Sequence, residues 1–580
     1  MNTEALATLI DSDHARTLHR KGVIPGSRVK FVAKFIDNSR LVEQLEAWRD
    51  EDKQARRKGG RPSKMPVRTV LILLFLLALE HSPMHVTEMA AVLDHRLTKK
   101  SRRKYELVTG GTLDQLYYRL WRTLENIIAT IDPEPLPSAR RRRLTPEEYD
   151  AIVESRDPDE MQEKQRRLDW LANHILEATY QLVPTEHRKW AGNITVDATP
   201  VAAFGRHRSS KISNRLSAEP GAGMYYREPD LRDETTAGTN RRLNAKRVWG
   251  WEAELLIQTT NDPTRPADFP LLVLGIAFHK PAHSPAASAL GAFRSIISRG
   301  HPAGYVIGDR LYFPGSKADS FQLPMRELGY EPIHDYRIDQ LGIQGQYAGA
   351  LLVDGNWYCP SMPKPLIDAT LDHRQGRIDD ATWQARLSKR SDYRLRRKEK
   401  PDSDGHTPLM CPAAGSRATA ACPLKPSATR GAKVSVTIGK PPKQPDRICV
   451  NKASVSFPPE AGAKLAQPLA HGTDEWQTWY ATGRNTIEGF NGYIKDGARE
   501  ALADATRRRL HGYAAQYLLT TVLVASANIR KIIGFLEEEQ LRREGNHVAE
   551  TRRIRRKRRT SIRAWSMEAE GTDPHIEQPR

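Results

Sequence analysis

The spacing of hydrophobic residues changes along this chain from helical to strand-like and then back to helical. In residues 1–132 the apolar side chains recur every three or four positions, most clearly over 67–79 and 86–93. The residues His81-Ser82-Pro83 form a break of turn length between these two runs. Two short helices joined by a tight turn are typical of a helix-turn-helix and equally of a small helical bundle.

The middle of the chain carries strand-like runs. A charged helix predicted over residues 146–182 leads into them, and a second helix is predicted at 285–299. Short runs of β-branched, aromatic and aliphatic residues are typical of buried strands. The predicted strands are 193–197, 248–259, 271–278, 304–309 and 332–336. Three strands, a helix and a further strand, in that order, indicate an α/β core.

The chain is strongly basic. It has 90 Lys and Arg residues against 70 Asp and Glu residues, which gives a formal charge of +20. Such an excess favours a polyanionic partner, because each cation that meets a phosphate releases a condensed counterion. The most apolar run, residues 70–79, is too short for a membrane span, which needs about 20 residues. We therefore expect a nucleic-acid partner and no membrane association.

Two aspartates are candidate metal ligands. Asp197 and Asp309 each follow an apolar, strand-like run, and a carboxylate at the end of such a strand is fixed at the edge of a sheet yet reachable. Each aspartate could equally cap a loop or a helix. The strand order in which the two occur favours the functional interpretation.

A third acid lies in a helical segment near the C-terminus. At about 100° per residue, Tyr480, Arg484, Glu488 and Lys495 share one face of that helix. An acid flanked by two bases and a phenol suits a metal ligand with phosphate contacts above and below it. An exposed helix with an Arg–Glu pair four residues apart has the same spacing.

Two strand-borne aspartates followed by a helical glutamate in a Tyr-Arg-Glu-Lys signature resemble the DDE transposases of bacterial insertion sequences. The resemblance covers roughly residues 190–535. Arg484, Glu488 and Lys495 match the family pattern Arg-x3-Glu-x6-Lys. Tyr480 departs from it, because three residues separate it from Arg484 where the family has two.

The resemblance implies a ribonuclease-H-like catalytic core in which Asp197, Asp309 and Glu488 are catalytic and bind two Mg²⁺ ions, with Mn²⁺ as an alternative. It implies a cytoplasmic, nucleoid-associated bacterial enzyme that cleaves and transfers double-stranded DNA, at transposon ends and target, as a homodimer on paired ends. Two other hypotheses stay open. One is a catalytically inactive, transposase-derived DNA-binding protein, and the other is a ribonuclease-H-like nuclease without strand transfer.

Several basic residues are candidate DNA contacts. Arg484 and Lys495, with Tyr480, would hold phosphates near the scissile bond by the same resemblance. Arg57 and Arg61 flank two glycines, and such a stretch can place an arginine in a narrow minor groove. A solvated basic linker is the alternative for this stretch.

The cysteines give a weaker signal. Cys359, Cys411, Cys422 and Cys449 are too few for a disulfide framework in a chain of this length. Four thiolates could form one tetrahedral zinc site, but none of the spacings is the close pair of a zinc knuckle. We expect unligated thiols and no zinc.

These patterns divide the chain into six segments. The predicted segments are a helical N-terminal DNA-binding region (1–132), a basic linker and helix (133–188), the first part of the catalytic core (189–344), an irregular and partly β insertion (345–470), the C-terminal helices of the core (471–540) and a basic tail (541–580).

Overall fold

A mixed β-sheet covered by helices forms the centre of this α/β protein. The computed structural model describes residues 22–56, 64–107, 110–136, 145–205, 219, 221–227, 246–281, 285–425 and 434–544. Arg57, Arg61, the arginine run at 140–143 and the chain after residue 544 lie outside the described residues.

The N-terminal helices pack around one apolar helix. They are α1 (Gly26–Asn38), α2 (Leu41–Arg56), α3 (Val67–Leu79), α4 (Val86–Ala91), α5 (Lys99–Lys104) and α6 (Leu113–Ile131). The helix α3 is buried on nearly every side, since all its residues except Arg68 are shielded from solvent. Arg507 and Arg530, from the C-terminal part of the chain, donate to the carbonyls of Ala78 and Leu79 at its end. The two helices predicted around the break at 81–83 therefore belong to a bundle that shares its core with the C-terminal part of the chain.

The charged helix predicted over 146–182 is two helices. They are α7 (Pro146–Glu154) and α8 (Pro158–Tyr180). The prediction of one continuous helix was wrong because Pro158 has no N–H and cannot continue a helix from the preceding turn. Asp157 instead caps the second helix, its side chain accepting a hydrogen bond from the N–H of Asp159.

The central sheet has six strands. They are β1 (Ile194–Ala202), β2 (Gly223–Arg227), β3 (Lys246–Gln258), β4 (Val273–His279), β5 (Tyr305–Ile307) and β6 (Glu331–Ile333). Their order is β2-β3-β1-β5-β6, and β4 also pairs with β3. The strand β1 runs antiparallel to β3 and parallel to β5, and β5 runs parallel to β6. The helices α9 (Pro285–Ser298) and α10 (Gln322–Glu327) connect β4 to β5 and β5 to β6.

Two buried asparagines close the edge of the sheet at β4. Asn173 of α8 bonds both the N–H and the carbonyl of Ile276, at 3.0 Å each. Asn528, on the last helix, does the same for Val273 at 3.0 and 2.8 Å. Buried backbone groups need such partners, so these two amides fix the helices against the strand.

The strand predictions are confirmed in position but not in length. The strand β1 continues past Asp197 to Ala202, because its pairing with β3 runs on from Asp197 opposite Leu255 to Ala202 opposite Gly250. Asp197 therefore lies within the strand. The prediction that it ends the strand was wrong. The short strand β2 was not predicted at all.

Short strands and helices make up the segment between β6 and the last two helices. The strands are β7 (Ile343–Tyr347), β8 (Ala350–Val353), β9 (Asn356–Tyr358), β10 (Arg396–Arg397), β11 (Thr407–Met410), β12 (Ala420–Ala421), β13 (Val436–Thr437) and β14 (Val455–Phe457). The helices are α11 (Lys364–Ile367), α12 (Ala369–Arg374), α13 (Asp380–Ser391) and α14 (Arg447–Val450). The strands form sheets of two or three members.

Two long helices end the described chain. They are α15 (Asp474–Lys495) and α16 (Tyr513–Arg543). By length and composition alone α16 could cross a membrane, with a mean hydropathy of 1.4 over its most apolar window, but 72% of that window is buried inside the protein. Its apolar surface thus contributes to the core of the fold.

The helix α15 packs closely against the sheet at Gly483. A β-carbon at this position would lie 2.7 Å from Cγ2 and 2.8 Å from Cβ of Ile307 in β5. Gly483→Ala is therefore expected to lower the free energy of unfolding by about 1–3 kcal/mol, as overpacking does. Urea unfolding followed by circular dichroism would measure the change.

Gly489 is the matched control for this substitution. It lies on the same helix, and a β-carbon there would meet nothing within 4 Å. Gly489→Ala should leave stability unchanged or raise it by up to about 1 kcal/mol, because alanine favours a helix over glycine. Equal effects of the two substitutions would contradict the close contact at Gly483.

Candidate active site

The central strand β1 presents Asp197 to the helix α15. The carboxylate Oδ2 of Asp197 accepts a hydrogen bond from Nδ2 of Asn491 at 3.4 Å, and its Oδ1 lies 4.0 Å from Nη1 of Arg484. Asn491 and Arg484 are seven residues apart, close to two helical turns, and so lie on one face of α15. Three side chains from two distant parts of the chain therefore meet above the sheet.

The sequence of α15 explains how that face is held. Thr473 caps its first turn, accepting a hydrogen bond from the N–H of Trp476. Trp476, Trp479 and Ile487 are buried against the sheet and the segment before the helix. Their spacings of three and eight residues follow the helical period and fix the rotation of the helix about its axis.

Glu488 joins the same group through Arg484. Nη2 of Arg484 lies 3.1 Å from Oε1 of Glu488, one turn along the helix. The exposed fractions of the side chains are 16% for Arg484, 21% for Asp197 and 51% for Glu488. The guanidinium thus lies between two acids, with Glu488 at the solvent side of the group.

Asp309 lies two residues beyond the end of β5. Its Oδ1 accepts a hydrogen bond from the N–H of Leu311 at 2.8 Å, which forms a turn at the end of the strand. Burial raises the pKa of Asp197 to about 6, Arg484 opposes this shift, and the charges of Asp309 and Glu254 increase it. The effect of Asp309 on that pKa places the two predicted acids in one electrostatic environment.

A fourth acid, Glu254, lies beneath this group and was not predicted. It is fully buried on β3 opposite Ala198, the neighbour of Asp197. Its carboxylate contacts Nε2 of His279 at 2.7 Å and accepts a hydrogen bond from the hydroxyl of Tyr312. Burial raises the pKa of Glu254 despite these partners. An acid within an apolar strand offers no signal in the sequence, because only strand pairing brings it beside Asp197.

Tyr480 and Lys495 occupy the two ends of the predicted helical face. The ring of Tyr480 stacks on that of Trp476, with 4.9 Å between centroids. Burial raises the pKa of the Tyr480 hydroxyl, and the charges of Asp335 and Asp309 also raise it, so the tyrosine lies near the acids. Lys495 is the last residue of α15, roughly 10 Å along the helix axis from Glu488. Of the four residues on the predicted face, Arg484 and Glu488 are in direct contact.

The side chain next to Asp309 connects the site to a buried carboxylate. Arg310 donates to Asp335, just beyond β6, and Asp335 also receives hydrogen bonds from Arg374 at 2.8 Å and His471 at 2.9 Å. Burial alone would raise the pKa of Asp335, but the hydrogen bond from His471 and the charges of His471, Arg374 and Arg310 hold it well below its usual range. Three separate segments are thus joined at one anion.

The donor set of the site is oxygen-based and contains two unsatisfied polar atoms. Oδ1 of Asn491 and Nη1 of Arg484 are buried and have no hydrogen-bond partner. Carboxylate oxygens are the ligands that Mg²⁺ prefers, and the two unsatisfied atoms leave an acceptor and a donor for a further group. Within the described part of the chain, no three His, Cys, Asp or Glu side chains are already arranged as a metal-binding group. Asp197 and Glu488 instead both lie next to the guanidinium of Arg484.

Comparison with known proteins adds no relative: no family model, no curated protein and no solved structure matches this chain.

Asp335→Asn is expected to destabilise the fold by about 3 kcal/mol, because removing one member of a buried ion cluster leaves the others uncompensated. This is the low end of the usual range, since Arg310 and Arg374 are partly exposed. Urea unfolding at neutral pH would measure it. Asp339→Asn, at an exposed pair with Arg337, is the control and should change little.

The same carboxylate predicts a pH dependence. The pKa of Asp335 is lower in the folded protein than its ordinary value near 4. Its stabilising contribution is therefore complete above about pH 4 and decreases as the pH falls towards the folded pKa. The stability difference between the native protein and Asp335→Asn should narrow below about pH 4. A difference that stays constant from pH 7 to pH 3 would contradict this account.

Proposed function

We propose that this protein is a DNA transposase of the DDE type, whose catalytic carboxylates are Asp197, Asp309 and Glu488. The observation that carries the proposal is the contact of one guanidinium, that of Arg484, with both Asp197 and Glu488. These acids are far apart in the chain, and a helical Glu beside a strand-borne Asp is the arrangement that the Tyr-Arg-Glu-Lys signature implies.

The proposed core is ribonuclease-H-like. The support lies in the strand order β4-β3-β1-β5-β6, in which β4, β3 and β1 are antiparallel neighbours and β5 and β6 run parallel to β1. The helix α9 follows the third of these strands in the chain. The strand β2 is an addition to this arrangement.

Asp197, Asp309 and Glu488 would hold two Mg²⁺ ions, or Mn²⁺. Such ions activate the attacking oxygen and stabilise the leaving oxygen when a phosphodiester is cleaved. The side chains of the protein have separate tasks. Arg484 orients Glu488 and neutralises part of the negative charge of the group, and Asn491 orients Asp197. Arg310, the neighbour of Asp309 in the chain, forms an ion pair with Asp335.

Double-stranded DNA is the proposed partner, at transposon ends and at the target. The net charge of +20 supports a polyanion. Lys495 and Tyr480 extend the site in both directions along α15 and are proposed to contact the DNA backbone. Arg57 and Arg61 are proposed as further DNA contacts. We propose a homodimer on paired ends, in the bacterial cytoplasm and without membrane association.

Glu488→Gln is expected to abolish DNA cleavage and strand transfer, by at least about 100-fold, while DNA binding is largely kept. The amide keeps the shape of the side chain but removes the charge that a metal ion needs. The measurement is Mg²⁺-dependent nicking and joining of linear DNA that carries the inverted repeats flanking the gene. Gel-shift titration on the same DNA measures binding.

Glu475→Gln is the matched control, because Glu475 is an exposed acid in the first turn of the same helix. It should cleave like the native protein. Full cleavage by Glu488→Gln would remove Glu488 from the site. Cleavage by the native protein without joining would indicate a nuclease, and binding without cleavage would indicate an inactive DNA-binding protein.

Arg484→Ala is expected to slow cleavage by about 10- to 100-fold, because Glu488 loses the group that orients it. It should also weaken DNA binding and reduce the slope of log K against log salt by about 0.9, the loss of one phosphate contact. Arg484→Lys should restore part of the binding but less of the cleavage rate, since an ammonium lacks the planar fork that contacts two carboxylates.

Arg265→Ala controls for the loss of a positive charge as such, since Arg265 is exposed in the loop between β3 and β4. It should leave the cleavage rate unchanged. Unchanged rate and unchanged salt slope in Arg484→Ala would dismiss the proposed role of Arg484.

A further inference from the structure

The four cysteines occupy similar positions in the segment between β9 and β14. Cys359 directly follows β9, Cys411 follows β11 and Cys422 follows β12. Each of these three is followed by a proline. Cys449 lies in the short helix α14. The same dipeptide, Cys-Pro, thus follows three different strands of this segment.

The three Cys-Pro pairs form the same turn. The N–H of Met362 donates to the carbonyl of Cys359 at 3.1 Å, that of Ala414 to Cys411 at 2.9 Å, and that of Lys425 to Cys422 at 2.9 Å. In two of the turns the N–H two residues after the cysteine also donates to the sulfur, from Ser361 to Cys359 and from Ala413 to Cys411. Amides directed at a sulfur favour its thiolate form.

The thiols converge on one small apolar core. Cys359, Cys411 and Cys449 are buried members of this core, and Cys422 packs against it. All four are free, with no disulfide between them. The four cysteines thus lie on the same core, although they are up to 90 residues apart in the chain.

Two cations accompany the thiols without a carboxylate to balance them in the described part of the chain. Lys425 is only 8% exposed and bonds the carbonyl of Asn451. Arg396 is half-buried, bonds two backbone carbonyls and has Nε buried without a partner. Lys425 is the residue that closes the turn after Cys422, and Arg396 bonds the carbonyl of Ala414, which closes the turn after Cys411. Buried charges are normally paired, so these cations indicate an anionic group that forms at the cysteines.

We propose that Cys359, Cys411, Cys422 and Cys449 bind one Zn²⁺ ion as a structural tetrathiolate site. Four thiolates around Zn²⁺ carry two net negative charges, which Lys425 and Arg396 offset. This reverses the expectation of unligated thiols. That expectation rested on spacing along the chain, whereas here three turns at strand ends and the short helix α14 supply the convergence.

The site would stabilise a segment that has little else to hold it. Its strands have two to five residues, and a core this small gains much from a metal ion. No three of the thiols are yet arranged around an ion in the described structure. Binding therefore requires the four thiols to move closer together than they are in the described structure.

Metal analysis of the purified full chain tests the proposal. We expect one zinc per chain after dialysis, and, in protein prepared with Co²⁺ instead, the thiolate-to-cobalt charge-transfer bands of a tetrahedral sulfur site. The double substitution Cys411→Ser with Cys449→Ser should lose the zinc. Val455→Ala, which removes methyl groups from the same core, is the matched control and should keep it.

The other outcomes are equally decisive. Native protein without zinc, or a cobalt spectrum lacking the thiolate bands, overturns the proposal even where the cysteine variant fails to fold. Zinc retained by the double cysteine variant would show binding elsewhere and also overturn it. Asp197→Asn should keep its zinc, which separates this site from the proposed carboxylate site.

Discussion

The close contact between α15 and β5 sets where the helical residues of the candidate site lie relative to the sheet. Gly483 brings the helix axis so near to Ile307 that the next residue, Arg484, reaches Asp197 in the neighbouring strand. One turn further on, Glu488 reaches the same guanidinium. A larger residue at 483 would move the helix outward, and the acids of strand and helix would then separate. The ion pairs of Arg484 therefore depend on the close packing of Gly483 against Ile307.

Once the acids are together, their mutual repulsion must be offset. The charges of Asp309 and Glu254 raise the pKa of buried Asp197, and the charge of Asp309 also raises that of buried Glu254. Arg484 lies next to Asp197 on one side of this group, and His279 contacts Glu254 on the other. A site that keeps acids clustered against their repulsion suits the binding of a cation, since divalent ions would relieve the repulsion directly.

The sequence predicted elements better than it predicted contacts. The helical face with Arg484 and Glu488 follows from a period of 3.6 residues, and α15 forms as expected. The split at Pro158 was missed because a charged helix was continued through a residue that cannot extend it. Glu254 could not be found, because its role depends on the register of β3 against β1, a property of two strands about 50 residues apart. Local periodicity is visible in a sequence, and strand pairing is not.

The segment between the second and third acids is joined to the site by charge. Arg374 of α12 and His471, just before α15, both bind Asp335, and Asp335 also holds Arg310 beside Asp309. Any loosening of this segment would therefore withdraw Arg374 from Asp335 and remove a restraint at the start of α15. A tetrathiolate site at the cysteines would act at a distance on the carboxylates through this ion cluster, since a stiffer segment holds Arg374 in place. The stability of the segment between β6 and α15 is thus linked to the position of Arg310, next to Asp309, through the buried carboxylate of Asp335.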